Sequence, residues 1–370
     1  MKKNLGYFLV FLLLALLSGC EENLIGEEYS NTPIDNYEAF WNEFDRFYGA
    51  FEAKNINWDS LKPIYEKGLG NTSTNQQLFG SISGLLRELN DGHADLYAPG
   101  VGYYRSWSRR SKSLFSDLKD NNTGSITLMQ NVARASYLRN RSVEGEFSGW
   151  KFFYGAIPYS DYRIGYICIP TFNISNFPND FIQAAVDSFN ELDAVIVDLR
   201  FNGGGKTEAF VYSLNCFASE EKCYMKSKLR SGVSHSDFTE LEEHVVHPHA
   251  DCLKNKPVAV LMNAFSASSS DHFILGMKSQ SYVITVGDTS CGAFSSVLER
   301  VLPNGWKFRL GAQVIYNPDG TLMTDRRGNY IEGIGIPPDY YATDQLKEIR
   351  KGNDVPLNVA LEELSKRVNR

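Results

Sequence analysis

The sequence contains few cysteines and no long run of basic residues. Six cysteines among 370 residues are too few for a disulfide framework. Cys216 and Cys223 can close a short loop in an oxidising compartment, with buried free thiols as the alternative. A formal net charge of −7 without a Lys/Arg run offers no positive surface to a phosphate backbone. We therefore expect a globular protein that has no nucleic-acid partner.

The N-terminal apolar segment is too short for a membrane span. Two lysines precede an apolar run over residues 5–17, and the string LSGC ends at residue 20. This order is typical of a signal peptide, whereas a spanning helix needs about 20 apolar residues. LSGC resembles the lipobox of bacterial lipoproteins, which implies that Cys20 is acylated and anchors the chain to a membrane. We predict a signal peptide over 1–20, a linker over 21–34 and a bacterial cell-envelope location, periplasmic or surface-exposed.

Residues 35–95 have the periodicity of a helical domain. A first helix is predicted from Asp35, a second over 61–69, and a third after a cap near Ser73 or Thr74. Apolar residues recur at three- and four-residue spacing, as on one face of a helix. The two stripes are Phe40, Phe44, Phe47, Tyr48 and Phe51 in the first helix, and Leu78, Ile82, Leu85 and Leu89 in the third. The string LNDGHADL then breaks the helix and leaves His93 on a loop or at a strand start.

An alternation of apolar strands and amphipathic helices follows. Strands are predicted over 163–169, 194–199, 257–262 and 282–286, and helices over 179–192, from about 206 and from near 268. Residues 220–255 form a polar excursion, further strands lie around 294–315, and a last helix begins near 356. The predicted organisation is a connecting segment over 96–160, an α/β core over 161–345 and a C-terminal helix over 346–370.

Three strings lie at predicted strand ends: AVIVDLRFNGGG at 194–205, PVAVLMNAFSASSSDHF at 257–273 and YIEGIGIPPD at 330–339. Together with LNDGHADL they resemble, in order and spacing, the core of the tail-specific (C-terminal processing) and tricorn-type serine peptidases, over residues 37–365. The resemblance implies a Clp- and crotonase-like α/β core and a serine endopeptidase that acts on peptides or unfolded proteins without a cofactor or metal. Many members insert a PDZ module near 96–160, which is too short here for a complete one.

The resemblance implies that Ser268 is the nucleophile, with Asp271 in the family's acidic position. A serine at a strand-to-helix turn points its hydroxyl into a cleft, where the helix N-terminus stabilises the developing anion. Asp271 is interpreted as an N-terminal helix charge rather than a catalytic acid. The alternative is that the serine cluster only caps the helix.

Glycines 203–205 follow a hydrophobic strand and allow a backbone amide to approach a substrate carbonyl. The resemblance implies that Gly203 or Gly204, together with the amide of Ser269, forms the oxyanion hole. A turn that merely starts the next helix is the alternative.

The general base cannot be the lysine of the tail-specific branch. The corresponding string is VGDTSCGAF, and Ala293 occupies the lysine's place. The tricorn branch instead uses a histidine from the N-terminal part and a glutamate from the C-terminal part, which maps to His93 and Glu332. A neutral imidazole, with an ordinary pKa near 6.5, can accept the serine proton while a carboxylate fixes its tautomer.

The sequence leaves open other roles for histidines and another class of function. His272, four residues after Ser268, is a rival base. The segment HVVHPH offers His244, His247 and His249 as zinc ligands, with a solvated loop as the favoured interpretation. A non-catalytic lipoprotein that binds a peptide or a hydrophobic ligand on the same scaffold is the alternative function. The oligomeric state is not predicted.

Overall fold

The computed structural model describes residues 29–107, 122–250, 253–254 and 256–368. The predicted signal peptide, its Cys20 and most of the predicted linker lie outside the described residues. No helix within the described ranges is both long and apolar enough to cross a membrane.

Helices and strands are numbered from the N-terminus. The helices are α1 (Pro33–Phe47), α2 (Trp58–Glu66), α3 (Asn75–Leu89), α4 (Asn122–Val132), α5 (Asn179–Phe189), α6 (Thr207–Phe217), α7 (Ser269–Lys278), α8 (Leu346–Ile349) and α9 (Val355–Ser365). The strands are β1 (Asp95–Ala98), β2 (Gly102–Arg105), β3 (Val143–Phe147), β4 (Trp150–Tyr159), β5 (Tyr162–Cys168), β6 (Ala194–Asp198), β7 (Lys222–Leu229), β8 (Glu242–Val246), β9 (Val258–Met262), β10 (Val283–Gly287), β11 (Val297–Val301), β12 (Lys307–Gly311), β13 (Gln313–Tyr316) and β14 (Tyr340–Tyr341).

The N-terminal helices form where the periodicity predicts them. The side chain of Thr32 caps α1, and Thr74 forms a capping box with Gln77 at the start of α3. Helix α2 begins three residues earlier than predicted, because Asn57 accepts the backbone N–H of Ser60 and caps it there. Every residue of the two predicted stripes is buried except Phe47, which is partly buried. The stripes are therefore core.

The central sheet has seven strands in the order β14-β10-β9-β6-β5-β4-β3. The five strands from β14 to β5 are parallel, whereas β4 and β3 continue the sheet antiparallel. Strands β6 and β9 are buried along their whole length, as expected for parallel strands covered on both faces. The mixed α/β architecture confirms the predicted fold class. Because carboxyl ends of parallel strands share one edge, the turns after β6, β9 and β10 meet there.

The structure has two smaller sheets besides the central one. The order β11-β12-β1-β2 places the segment after His93 beside the chain that follows β10. The order β13-β7-β8 is built largely from residues 220–255, which the sequence predicted only as a polar excursion. The described part of the predicted connecting segment contains β1, β2, α4, a π-helical turn, β3 and β4.

A buried ion cluster anchors the turn after β6. The guanidinium of Arg200 contacts Asp198 at 2.6 Å, Asp344 at 2.9 Å and Asp354 at 2.8 Å. Asp354 also caps α9, and Asn263, just after β9, donates to Asp344. Because the charges are paired and hydrogen-bonded, they can be buried, and removal of one partner would leave a buried charge. The cluster ties the C-terminal helix to the base of the glycine turn.

Candidate active site

Ser268 is held in a backbone conformation that a serine rarely adopts. It is the N-cap of α7, at φ 58° and ψ −121°, a conformation that costs about 1–3 kcal/mol for a residue with a Cβ atom. Its N–H donates to Oδ2 of Asp271 at 2.9 Å, and its side chain lines an open cavity. Such strain persists only where the surroundings impose it, and it concentrates at functional sites.

Asp271 joins the Ser268 turn to the chain that follows β10. Its buried carboxylate accepts the N–H of Ser268, of Gly292 at 3.1 Å and of Ala293 at 3.0 Å. Burial raises the pKa of Asp271 to about 6, against the lowering effect of its hydrogen bonds from Ser290 and these amides. Asp271 thus accepts backbone hydrogen bonds from two turns. The sequence predicted only that it places a negative charge at the start of the helix.

The glycine turn lies directly beside Ser268. A Cβ atom on Gly204 would lie 2.7 Å from Cβ of Ser268 and 2.9 Å from the backbone nitrogen of Ser269. However, the Gly204 N–H already donates to Oδ1 of Asn202 at 2.9 Å. Among the described residues, no acceptor contacts the N–H of Gly203, Gly205 or Ser269. The amides with a free donor therefore include Gly205, which the sequence did not single out, and not Gly204.

His93 lies on the short loop between α3 and β1. Asp91 fixes this loop, because its carboxylate accepts the backbone N–H of His93 and the hydroxyl of Tyr48, both at 2.7 Å. Gly92 packs so closely on the 291–293 turn that a Cβ atom there would lie 2.8 Å from Cβ of Ala293. The loop that carries His93 thus contacts Ala293, the residue at the position where the tail-specific branch has its lysine.

The imidazole of His93 is buried and neutral at pH 7. Burial lowers its pKa to about 4, and Arg105, Arg309 and His272 act in the same direction, while Asp91 opposes them. Its Nδ1 atom is enclosed and has no hydrogen-bond partner within the described part of the chain. A neutral imidazole carries a proton on one ring nitrogen and can accept another on the second.

Glu332 is also buried, next to the same turn. Its Oε2 atom accepts the N–H of Phe294 at 2.9 Å and of Ser295 at 3.1 Å. Its enclosed Oε1 atom has no partner among the described residues. Burial and the nearby Asp91 raise the pKa of Glu332 well above its ordinary value, and Lys54 opposes this. Glu332 therefore has one oxygen committed to the backbone and one available.

The three predicted catalytic residues are assembled around one short segment, residues 292–295. The carboxylate of Asp271, three residues after Ser268, accepts the first two amides of this segment. Gly92, next to His93, packs on the second residue of the segment. The carboxylate of Glu332 accepts the last two amides. No hydrogen bond between the side chains of Ser268, His93 and Glu332 is present within the described residues. The free Nδ1 of His93 and Oε1 of Glu332 are the two atoms that such a link would use, and catalytic hydrogen bonds often form only with substrate bound.

The rival base His272 is engaged elsewhere. Its Nε2 atom lies 2.8 Å from the carbonyl oxygen of Phe294, so this nitrogen carries a proton and donates. Burial lowers the pKa of His272 to about 4, and its Nδ1 is enclosed. The geometry does not favour His272 as the acceptor of the Ser268 proton.

The three histidines of HVVHPH have separate partners, which argues against a zinc site. His244 contacts Ser227 Oγ at 2.8 Å, His247 contacts Glu221 at 3.2 Å, and His249 contacts Cys216 Sγ at 3.4 Å. Within the described ranges, no three His, Cys, Asp or Glu residues are grouped to hold a metal ion. Cys216 and Cys223 are both thiols that form no disulfide with each other, which agrees with the thiol alternative that the sequence left open.

A cavity of about 420 Å³ opens beside Ser268. Its walls include Gly205, Ser268 and Ser269 on one side and the apolar Phe210, Phe294 and Val297 on others. None of the described residues that line it is Asp, Glu, Lys or Arg. His244 and His272 also line it, and burial lowers the pKa of both. The cavity therefore suits an uncharged side chain.

The buried histidines predict acid sensitivity of the fold. Because the pKa of His93 is about 4 when folded and near 6.5 when unfolded, its neutral form favours the native state above pH 6.5. That contribution is lost as pH falls from 6.5 to 4, and His272 adds a loss of the same sign. Urea unfolding at pH 7 and pH 4.5 should show a lower free energy of unfolding at pH 4.5. A His93→Gln variant should lose less on acidification, and an equal loss would contradict the prediction.

Comparison with known proteins finds a protein family whose model matches part of the chain. Residues 163–342 match the model of Peptidase family S41. The chain is 27% identical over 202 residues to a carboxy-terminal-processing protease of Bartonella bacilliformis, covering 52% of this chain and 42% of that protein. It is 25% identical over 177 residues to the tricorn protease of Thermoplasma volcanium, covering 48% and 15%. Thus the chain spans less than half the length of these curated relatives.

A solved structure of another protein has the same fold as this chain over most of the length of both. It is a putative peptidase from Parabacteroides merdae, with a TM-score of 0.74 and 24% identity, covering 90% of this chain and 97% of that one. The N-terminal helices and the α/β core therefore occur together in another protein.

Proposed function

Because residues 163–342 match the model of Peptidase family S41, we propose that this chain is a serine endopeptidase that hydrolyses peptide bonds through an acyl-enzyme. The observation that carries the proposal is the strained Ser268, which lies beside the glycine turn. Through Asp271 it is connected to residues 292–295, which the His93 loop and Glu332 also contact. A binding protein has no need of a serine in this conformation.

In the first half-reaction, Oγ of Ser268 attacks the substrate carbonyl carbon and His93 takes the hydroxyl proton. Glu332 stabilises the resulting imidazolium through its free Oε1 and the Nδ1–H of His93. The C–N bond then breaks and His93 returns the proton to the leaving amine. Water, activated by the same base, hydrolyses the ester and frees Ser268.

The negative charge on the carbonyl oxygen is accepted by backbone amides. Ser269 provides one N–H at the start of α7, where the helix dipole also favours an anion. The glycine turn provides the other, from Gly203 or Gly205, since the Gly204 N–H is bonded to Asn202. No cofactor or metal takes part in these steps.

The cavity beside Ser268 receives the side chain on the acyl side of the scissile bond. The leaving amine must lie near His93, which returns the proton to it, whereas Gly205 and Ser269 line the cavity. A charged side chain would enter without a counter-charge, because the lining histidines are neutral at pH 7, and burying an unpaired charge is unfavourable. The substrate class is a peptide or unfolded protein with an uncharged residue before the cleaved bond.

The proposed location is the bacterial cell envelope, with the chain anchored to a membrane through a lipid on Cys20. The signal-peptide pattern and the lipobox resemblance support this. Mass spectrometry of the membrane fraction, before and after Cys20→Ser, tests it by the loss of the acylated N-terminus.

A covalent probe tests the function. The chain from Glu21 onward is treated with a fluorophosphonate, which forms a phosphonyl ester on an activated serine and releases fluoride, and is then incubated with a diverse peptide library. We expect the label on Ser268, cleavage after uncharged residues by the untreated protein and no cleavage by the labelled one. Absence of labelling and of cleavage would instead favour the non-catalytic binding lipoprotein.

A further inference from the structure

We propose that Lys54 is a positioning residue of the peptidase site, which fixes the His93 loop to the Glu332 segment and places a positive charge beside Glu332. The inference rests on the proposed function. It assigns a role in the site to the N-terminal helical part of the chain, which the sequence indicated only as a packing unit.

The ammonium of Lys54 is bonded to three backbone carbonyls. Its Nζ donates to the oxygens of Leu89 at 2.9 Å, Asn90 at 3.0 Å and Glu332 at 2.9 Å. An ammonium has three N–H donors, so each has one acceptor. A surface lysine seldom has all its donors fixed by the backbone, because its flexible side chain loses rotamer entropy when it is held.

The first two carbonyls belong to the C-terminal end of α3. The last four carbonyls of a helix lack intrahelical partners and carry the negative end of its dipole, which a cation stabilises. Asn90, the C-cap, is left-handed at φ 45°, and Asp91, Gly92 and His93 follow directly. Lys54 therefore fixes the point from which the His93 loop departs.

The third carbonyl is that of Glu332 itself. Its segment also docks through the Gly333 N–H, which donates to the carbonyl of Gly292 at 2.6 Å. Lys54 thus connects two chain segments whose side chains must cooperate, although Lys54 and Glu332 are 278 residues apart in sequence.

The electrostatics support the same role. Burial lowers the pKa of Lys54, while Asp91 and Glu332 raise it. Burial and Asp91 raise the pKa of Glu332, and Lys54 is the cation that lowers it. Without Lys54, Glu332 would hold its proton to a higher pH, and a protonated Glu332 carries no negative charge to stabilise an imidazolium.

Other titratable groups also face the pair. Those that act on Glu332 are Tyr48, Asp91, Asp271, Cys291 and Tyr330, besides Lys54. Those that act on His93 are Asp91, Arg105, Arg309 and His272. Of the groups with the largest effects on Glu332 in the described structure, Lys54 is the cation.

The test compares Lys54→Met, which removes the charge, with Lys54→Arg, which keeps it, and with Lys67→Met at an exposed lysine as a control. Steady-state cleavage is measured from pH 4.5 to 9. We expect Lys54→Met to lower kcat at least about tenfold with KM within twofold, and to move the acidic limb of the pH profile to higher pH. Lys54→Arg should keep the wild-type limb with a partial loss of kcat, and Lys67→Met should behave as wild type.

Amide hydrogen exchange separates this proposal from the proposed function. Lys54→Met should speed exchange in residues 89–93 and 330–334 together, and Lys67→Met in neither, whether or not the chain cleaves peptides. Unchanged exchange in both segments would overturn the positioning role. An unmoved acidic limb, or a loss of kcat equal to the loss of folded protein, would overturn the electrostatic role. Absence of Ser268-dependent cleavage by the wild type, with exchange changed as expected, would instead reject the proposed function.

Discussion

Replacing Ser268 with alanine is expected to lower kcat by on the order of a million-fold, the loss seen when the nucleophile of a triad is removed. The reason is chemical, since no other described hydroxyl has the same combination of strained backbone, cavity exposure and free amides nearby. Ser269 donates its hydroxyl to the carbonyl of Gly205 at 2.7 Å, and Ser270 is fully buried. Peptide cleavage, followed by mass spectrometry of new termini, measures the loss.

A glycine at the same position provides a matched control for the strain. Ser268→Gly also removes the hydroxyl, but a residue without Cβ adopts φ 58° with little strain. Glycine relieves the strain of about 1–3 kcal/mol, and the greater flexibility of the unfolded chain offsets part of that gain in stability. We expect Ser268→Gly to be inactive and more stable than Ser268→Ala by about 1 kcal/mol in urea unfolding.

Two results would count against this account. Substantial activity in Ser268→Ala would show that another group is the nucleophile. Equal stability of the alanine and glycine variants would show that the backbone at 268 is not strained, even if both are inactive. The first result concerns the chemistry and the second concerns the turn that presents it, so the two can be judged separately.

The position of Ser268 beside the glycine turn could be expected from the sequence, because its signals are local. Strands β6 and β9 are predominantly apolar, and the chain after each reaches a turn rich in glycine or in serine and alanine. Once both are interpreted as parallel neighbours, their carboxyl ends must meet. In the structure, a Cβ atom added to Gly204 would lie 2.7 Å from Cβ of Ser268, as that rule implies.

The polar connections of the site could not be predicted in the same way. The hydrogen bond from Lys54 to the carbonyl of Glu332 joins residues that are 278 positions apart, and no periodicity in the sequence relates the two. The carboxylate of Asp271 binds amides that lie about twenty residues further along the chain. A backbone N–H carries no sequence signal, so neither these contacts nor the free amide of Gly205 can be predicted from residue types.

The strands β7 and β8 were missed for a different reason. Lysines recur through KCYMKSKL at 222–229 and lower its hydrophobicity, so the segment resembles a solvated loop. Only Tyr224, Met225 and Ser227 are buried in β7, and the strand is stabilised by pairing on both sides with β8 and β13. Pairing with strands that are distant in sequence overrides a weak local pattern.

Substitution of alanine for Gly204 is expected to lower kcat about a hundred- to a thousandfold, comparable to loss of an oxyanion donor. The added Cβ would lie 2.6 Å from the carbonyl oxygen of Ala267, 2.7 Å from Cβ of Ser268 and 2.9 Å from the nitrogen of Ser269. Two of these three atoms belong to the backbone and cannot rotate away. The turn must shift, and it carries with it both the nucleophile and the Ser269 amide.

Gly203 provides the matched control one residue earlier. A Cβ atom there has no heavy atom within 4 Å, and Gly203 is not among the glycines with positive φ. The substitution Gly203→Ala keeps the backbone N–H, so even as an oxyanion donor it stays available. We expect kcat and KM of Gly203→Ala within about twofold of wild type, with circular dichroism confirming that both variants are folded.

The comparison distinguishes a catalytic turn from one that merely starts α6. If the turn only begins a helix, Gly204→Ala should lower stability without a separate loss of kcat per folded molecule. If the turn holds the oxyanion, kcat should fall while KM changes little, because the interaction is made chiefly in the transition state. An active Gly204→Ala enzyme would reject the close approach of this turn to Ser268, and an inactive, folded Gly203→Ala enzyme would mean that the turn tolerates no side chain even where space is open.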